Sequence, residues 1–221
     1  MLRLAVRLRL ILAAALLLSA TLAHAWDEAR MLAAVGHENA RAGNTVRELQ
    51  ALFRDVMRVD DEQRVRQINA FFNHHVRFRQ DIEVWGVVDY WATPLQTLAK
   101  GEGDCEDYAI AKYFSLLASG TPMSRLRLAY VRADIVEGTL HRSIPHMVLA
   151  YYAHRDAEPL ILDNLTAEVL PASRRPDLIP VISFNSTGLW EGIGAVSAGD
   201  PVARLPRWRD LLQRMQEEGF L

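Results

Sequence analysis

Apolar side chains along the first half of the chain recur at helical spacing. In "NTVRELQALFRDVMRV", Leu49, Leu52, Phe53, Val56 and Met57 fall on one stripe. Asp60 or Asp61 can cap a second helix that carries Val65, Ile68 and Phe72. "YWATPLQTLAKG" has the marks of a short helix: Thr93 as N-cap, Pro94 at the first helical position and Gly101 at the end. The next helix is expected from about Cys105 to Ser119, with Ile110, Tyr113, Phe114 and Leu117 on its inner face. Beyond Gly120 the period changes. "LRLAYVRAD", "HMVLAYY", "PLILDNL" and "LIPVISFN" are short β-prone runs separated by turn residues. The tail returns to helix, with Trp208, Leu211, Leu212 and Met215 spaced for one face. Helices first and strands afterwards predict an α+β domain, not an alternating parallel sheet.

The first 25 of the 221 residues are set apart from this pattern. Arg3, Arg7 and Arg9 precede the apolar run "LILAAALLLSATLA", and Ala23-His24-Ala25 has the small-x-small form of a signal-peptidase site. The run is short for a membrane span, which needs about 20 apolar residues. No cysteine follows it, so no lipid-anchored start is expected. The reading is a signal peptide over 1–25 and one exported domain over 26–221. The whole chain has 25 basic and 27 acidic residues, and all three leader charges are basic. That balance gives no basic footprint for nucleic acid or anionic membrane. A single cysteine, Cys105, excludes an internal disulfide and leaves a lone thiol in an oxidising compartment.

Cys105 sits in "GDCEDYAIAKYF", at the expected start of a helix. Gly101 and Gly103 allow the chain a tight approach, and a helix N-terminus favours an anion by about 0.3–1 kcal/mol when exposed. Yet Asp104, Glu106 and Asp107 surround the thiol with charge that opposes a thiolate. By itself such a cysteine is as readily a small buried core residue. A sulfur nucleophile also needs an imidazole base and a group to orient it. His146 opens the run "HMVLAYY", and "PLILDNL" carries Asp163 across the turn "AHRDAE". A turn centred near Arg155 and Asp156 puts residues 146 and 163 one diagonal step apart on one face. Asp163 also reads as a strand-ending turn residue. His141, in a loop-like stretch, is the fallback base.

"WATPLQTLAKGEGDCEDYAIAKYFSL", "HMVLAYY", "PLILDNL" and "PVISFNSTGLW" together resemble the bacterial transglutaminase-like cysteine proteinases, and within them the LapG family of periplasmic adhesin-cleaving proteases. The resemblance spans roughly residues 85 to 190. It implies a papain-like or transglutaminase-like fold, with N-terminal helices and the cysteine helix packed on an antiparallel sheet. Carried over position by position, it makes Cys105 the nucleophile, His146 the base and Asp163 the orienting acid. It further implies a cut at an Ala-Ala type site near the start of a large RTX-type adhesin, controlling biofilm attachment. An inner-membrane cyclic-di-GMP receptor (LapD-like) is implied as inhibitor.

The resemblance also implies dependence on Ca²⁺, with ligands from Asp104, Glu106 and Asp107. Carboxylates are hard oxygen donors suited to Ca²⁺. A dication there would cancel the negative field beside the thiol. From the residues alone, the acids equally fit ordinary decoration of a helix start. Trp85, Tyr90, Trp91 and Trp190 are expected mainly in the core, with Trp91 a candidate cleft wall. Two rivals share these residues: a transglutaminase or cell-wall amidase with the same triad, and a catalytically silent calcium-binding envelope partner.

Overall fold

The computed structural model describes residues 26–36, 40–194 and 196–220. The expected leader lies outside them. Helices α1 (Glu28–Val35), α2 (Ala40–Val56) and α3 (Asp61–His75) come first. After β1 (Arg77–Phe78) and α4 (Asp81–Val84) come α5 (Pro94–Lys100), β2 (Glu102–Gly103) and α6 (Cys105–Ala118). The strands follow: β3 (Leu126–Glu137), β4 (Leu140–Tyr151), β5 (Leu160–Leu162), β6 (Leu170–Pro171), β7 (Leu178–Asn185), β8 (Gly188–Glu191) and β9 (Ser197–Gly199). Helices α7 (Pro201–Arg204) and α8 (Pro206–Glu217) end the described chain. Strands β3 to β9 form one seven-stranded antiparallel sheet in the order β6-β5-β4-β3-β7-β8-β9, and β1 pairs in parallel with β2. This is the expected α+β arrangement. Among the described residues no helix is long and apolar enough to cross a membrane.

Local chemistry explains the helix boundaries. The Asp60 carboxylate accepts the Gln63 N–H at 2.8 Å. Thr93 accepts the Gln96 N–H at 3.2 Å while Gln96 reaches back to the Thr93 N–H at 3.0 Å, a closed capping box. Gly101 ends α5 at φ +66°, a conformation that costs glycine little. The α1 helix, which no strong stripe announces, starts where Asp27 accepts the Arg30 N–H at 3.0 Å.

Period-two alternation divides the sheet into two faces. Leu126, Leu128, Met147, Leu149, Tyr151 and Phe184 join the main core beneath α6. Ala129, Val131, Val148, Ala150 and Ile161 form a smaller cluster apart from it. Trp208 from α8 is fully buried against Phe114 (5.5 Å between ring centres), Phe184 (5.3 Å) and Tyr113 (5.8 Å). Trp91 belongs to the same aromatic cluster, stacked on Phe184 at 5.8 Å, so it is a core residue and not a cleft wall.

One expectation fails. The stretch before His146 is no loop, because β3 and β4 pair without a break from Leu126 opposite Tyr151 to Glu137 opposite Leu140. Its residues 140 to 143 are all exposed, so the two-residue burial rhythm that marks a strand is absent from the sequence there. His141 consequently stands near the hairpin tip opposite Val136, far along β4 from His146.

Candidate active site

Cys105 is the first residue of α6, and the approach to it is tightly built. Asp107 is fully buried; its Oδ1 accepts the Ala92 N–H at 2.9 Å and its Oδ2 faces the Asp104 N–H at 3.3 Å. One carboxylate thus ties the helix start to the segment after Trp91. A Cβ on Gly103 would stand 2.7 Å from Asp107 Oδ2, so the approach admits only glycine there. The Cys105 thiol donates to Glu106 Oε2 at 3.1 Å. Burial, then the Glu106 charge and hydrogen bond, then Asp104 push its pKa up, against a Met147 N–H that favours the thiolate.

His146 and Asp163 meet. Leu149 pairs with Leu162 across β4 and β5, which sets residue 163 diagonal to 146. His146 Nε2 lies 2.7 Å from Asp163 Oδ1, with both side chains buried. The same Oδ1 accepts the Leu165 N–H at 3.1 Å, and Arg175 Nη2 pairs with Oδ2 at 2.8 Å. Burial alone would raise the Asp163 pKa. The His146 bond and charge, the Leu165 N–H and Arg175 outweigh it and hold the group down at about 2. An ionised Asp163 can only accept, so His146 carries its proton on Nε2 and leaves Nδ1 as the basic nitrogen.

The turn that carries Asp163 is fastened from behind. Arg66, Asn69 and Asn73 share one face of α3 and donate to the carbonyls of Val169 (3.1 Å), Ala167 (3.2 Å) and Asp163 (2.9 Å). From α6, the fully buried Lys112 donates to the Asp163 carbonyl at 3.0 Å and to Asn73 Oδ1 at 2.7 Å. Burial pulls its pKa down to about 7, against the attraction of Asp163. None of these residues carries a sequence signal toward Asp163, because the partners lie 39 to 103 residues apart.

The acids form a larger group than the cysteine motif contains. Oxygens of Asp81, Asp104 and Asp107 converge, as do those of Asp81, Asp89 and Glu106, each set within 4.8 Å. Asp81 accepts the Tyr90 N–H, and Asp89 sits at φ +91° with Arg207 Nη2 3.0 Å from its carboxylate. A strained backbone at a polar cluster is characteristic of ligand sites. Burial first, then neighbouring carboxylates, raise Asp81 to about 6 and Asp104 to about 10. Asp81 Oδ1 and Asp104 Oδ1 are buried with no hydrogen-bond partner among the described residues. Crowded, unpartnered hard oxygens fit a Ca²⁺ ion well. Asp81 and Asp89 lie 24 and 16 residues before Cys105 and escape a search confined to the motif.

Cys105, His146, Asp81, Asp89, Asp104 and Glu106 all line one open cleft of about 770 Å³. Phe78, Ile82, Val88, Tyr130, Ile144 and Pro145 add an apolar lining. Asp107 and Asp163 lie beneath that surface and act through their neighbours.

Residues 40–195 match the family described as bacterial transglutaminase-like cysteine proteinase. A comparison with curated proteins returned no match. Among solved structures, EGTA-treated LapG of Legionella pneumophila is 34% identical, with 86% of this chain and 97% of that one covered and a TM-score of 0.73. The calcium-bound form of LapG from the same organism is 33% identical, over 86% of this chain and 99% of that one, with a TM-score of 0.70.

Proposed function

Since the chain belongs to the bacterial transglutaminase-like cysteine proteinases and is a cysteine peptidase of papain-like fold, we propose that it is a calcium-dependent endopeptidase using Cys105, His146 and Asp163. The observation that carries this reading is the convergence of the α6 N-terminus and the buried His146–Asp163 pair on one cleft. His146 Nδ1 takes the thiol proton as Cys105 Sγ attacks a peptide carbonyl. The proton then passes to the leaving amine, and water hydrolyses the thioester through the same base. The Cys105 N–H, at the first position of α6 and without an intrahelical acceptor, would be the backbone donor to the developing oxyanion.

Asp81, Asp89, Asp104 and Glu106 would hold the calcium, with Asp107 fixing the frame around them. The ion would supply positive charge where carboxylates now disfavour a thiolate. Glu106 is pivotal among these, because its carboxylate accepts the hydrogen bond of the Cys105 thiol at 3.1 Å.

The substrate proposed is the N-terminal region of a large RTX-type surface adhesin, cut at an Ala-Ala type site. The cleft supports a peptide substrate, since it is open and walled in large part by apolar side chains. A cyclic-di-GMP receptor of the inner membrane is the proposed inhibitor, and the periplasm, reached through the 1–25 leader, the proposed location. Incubating the protein with an adhesin N-terminal fragment, with calcium or with chelator, tests the core of this reading. A single cut in calcium, lost in chelator and in Cys105→Ala, is expected. Cleavage by folded Cys105→Ala would refute the mechanism, and amine incorporation in place of hydrolysis would make the protein a transamidase. N-terminal sequencing of the exported protein should read from Trp26.

A further inference from the structure

We infer that Arg175 is a positioning residue for the reaction, fixing the carboxylate of Asp163 and through it the ring of His146. This rests on the proteolytic reading above and adds a fourth and a fifth member, Arg175 and Asp177, behind the three expected ones.

The observations form a chain of alternating charge. The Arg175 side chain is 7% exposed and that of Asp163 is fully buried. The guanidinium presents one edge to Asp177, with Nε 3.0 Å from Oδ1 and Nη2 2.7 Å from Oδ2. The same Nη2 lies 2.8 Å from Asp163 Oδ2. Asp177 is itself anchored to the sheet, for its carbonyl accepts the Asp134 N–H of β3 at 2.8 Å. Arg175 takes its place at the end of a short 3₁₀ turn, where its N–H donates to the Ala172 carbonyl at 2.9 Å.

A carboxylate can rotate about its terminal bond, and that torsion is soft. In a site with a single imidazole partner, the oxygen facing the ring would be free to swing. Here each oxygen has its own contact. His146 and the Leu165 N–H hydrogen-bond to Oδ1, and the Arg175 charge stands 2.8 Å from Oδ2 as an ion pair, an oxygen with no hydrogen bond of its own among the described residues. The plane of Asp163 is therefore set from two sides, and with it the plane of the imidazole. The rigid guanidinium fork is engaged by Asp177, which fixes where the Nη2 facing Asp163 Oδ2 stands; an ammonium would give a point charge without that anchored plane. The buried pair also resists the alternative in which Asp163 takes a proton and ceases to orient the ring. Asp177 completes the balance, since an unpaired guanidinium at this depth would be costly.

The rival account is that Arg175 merely ties the segment between β5 and β7 to the sheet. Kinetics and spectroscopy on the full protein separate the two. Arg175→Gln should fold and show kcat lowered by roughly 10- to 100-fold, the usual scale for partners of functional ligands. KM should stay nearly unchanged, because Arg175 lies outside the cleft lining. Arg175→Lys should recover part of the loss by restoring charge without the fork. In a Cys105→Ala background, the low-field proton resonance of the His146 Nε2–H should shift or broaden on Arg175→Gln. That second measurement needs no cleavage and so remains decisive even if the proposed substrate is wrong. A folded Arg175→Gln with unaltered kcat and an unmoved resonance would overturn the inference. So would a drop in activity that tracks only a lowered melting temperature, with the resonance in place. If Arg175→Gln does not fold, Asp177→Asn loosens the outer clamp alone. It should lower kcat severalfold and shift the same resonance, and no change in either would equally overturn the inference.

Discussion

Replacing Asp163 by Asn looks conservative, since an amide serves as orienting group in many thiol proteases, but the surroundings here make it severe. Two donors and one cation converge on the two Asp163 oxygens: the His146 Nε2–H and the Leu165 N–H bond Oδ1, and the Arg175 guanidinium makes an ion pair with Oδ2. An amide has one acceptor end and one donor end. If its oxygen faces His146, its NH₂ faces a buried guanidinium. If it turns round, the NH₂ meets the Nε2–H and drives the imidazole into the wrong tautomer. Two routes give the size of the stability loss. With a folded pKa of about 2 against about 3.9 unfolded, the ionised group contributes about 2.6 kcal/mol at neutral pH. Removing one partner of a buried ion pair costs about 3–5 kcal/mol. The expected loss is therefore about 3 kcal/mol, or a melting temperature lower by roughly 6–12 °C for a domain of this size. The sign with pH follows from the depressed value. The Asp163 contribution is complete above about pH 4 and disappears as pH falls through about 2, so wild type and variant should converge in acid. Activity should drop by roughly 10³- to 10⁴-fold. Thermal melts across pH, with kcat measured alongside, decide the matter. An Asn variant as stable as wild type and within tenfold of its rate would refute this argument. In the double variant with Arg175→Gln the stability loss should be less than additive, because the donor conflict is relieved at its source.

Calcium at a hundred times its dissociation constant should stabilise the protein by about 2.7 kcal/mol, seen as a shifted melt that magnesium fails to reproduce. Asp81→Asn or Asp104→Ala should weaken that shift and the calcium affinity read by calorimetry; an undiminished shift in both would remove these residues from the site. Lys112→Met should keep the fold and shift the pH dependence. The lysine pKa is depressed to about 7 in the folded protein, so its burial penalty is complete below pH 7 and fades toward its unfolded value of about 10.4. Wild type should therefore gain on the Met variant between pH 7 and 10, and parallel stability curves would contradict the buried, uncharged lysine.

The elements were legible wherever local physics decides them. Thr93, Pro94 and Gly101 placed α5, and the apolar stripe from Leu49 to Val56 placed α2. A turn centred near Arg155 and Asp156 puts positions 146 and 163 on one face by register alone, and in the structure their side chains meet. The β3–β4 hairpin tip was misjudged because both its faces meet solvent, which erases the alternation that marks a strand. For Trp91 the sequence left core and cleft wall both open, with core favoured; aromatic residues serve either, and only the neighbouring Phe184 and Trp208 separate the two.

What the sequence determined by itself was the helix with Cys105 at its first turn, the strand order in the chain and the acids that flank the thiol. Periodicity, caps and a motif of consecutive residues are local properties, and they survive without knowledge of distant contacts. The surroundings of Asp163 were decided only by tertiary structure. Arg175, Lys112 and Asn73 reach it from three different elements, and Asp81 and Asp89 join Glu106 through the fold of a connecting segment. Burial and charge pairing act through space, so the energy that holds the Asp163 carboxylate ionised and the crowding of Asp81 and Asp89 against Glu106 have no trace in the order of residues along the chain.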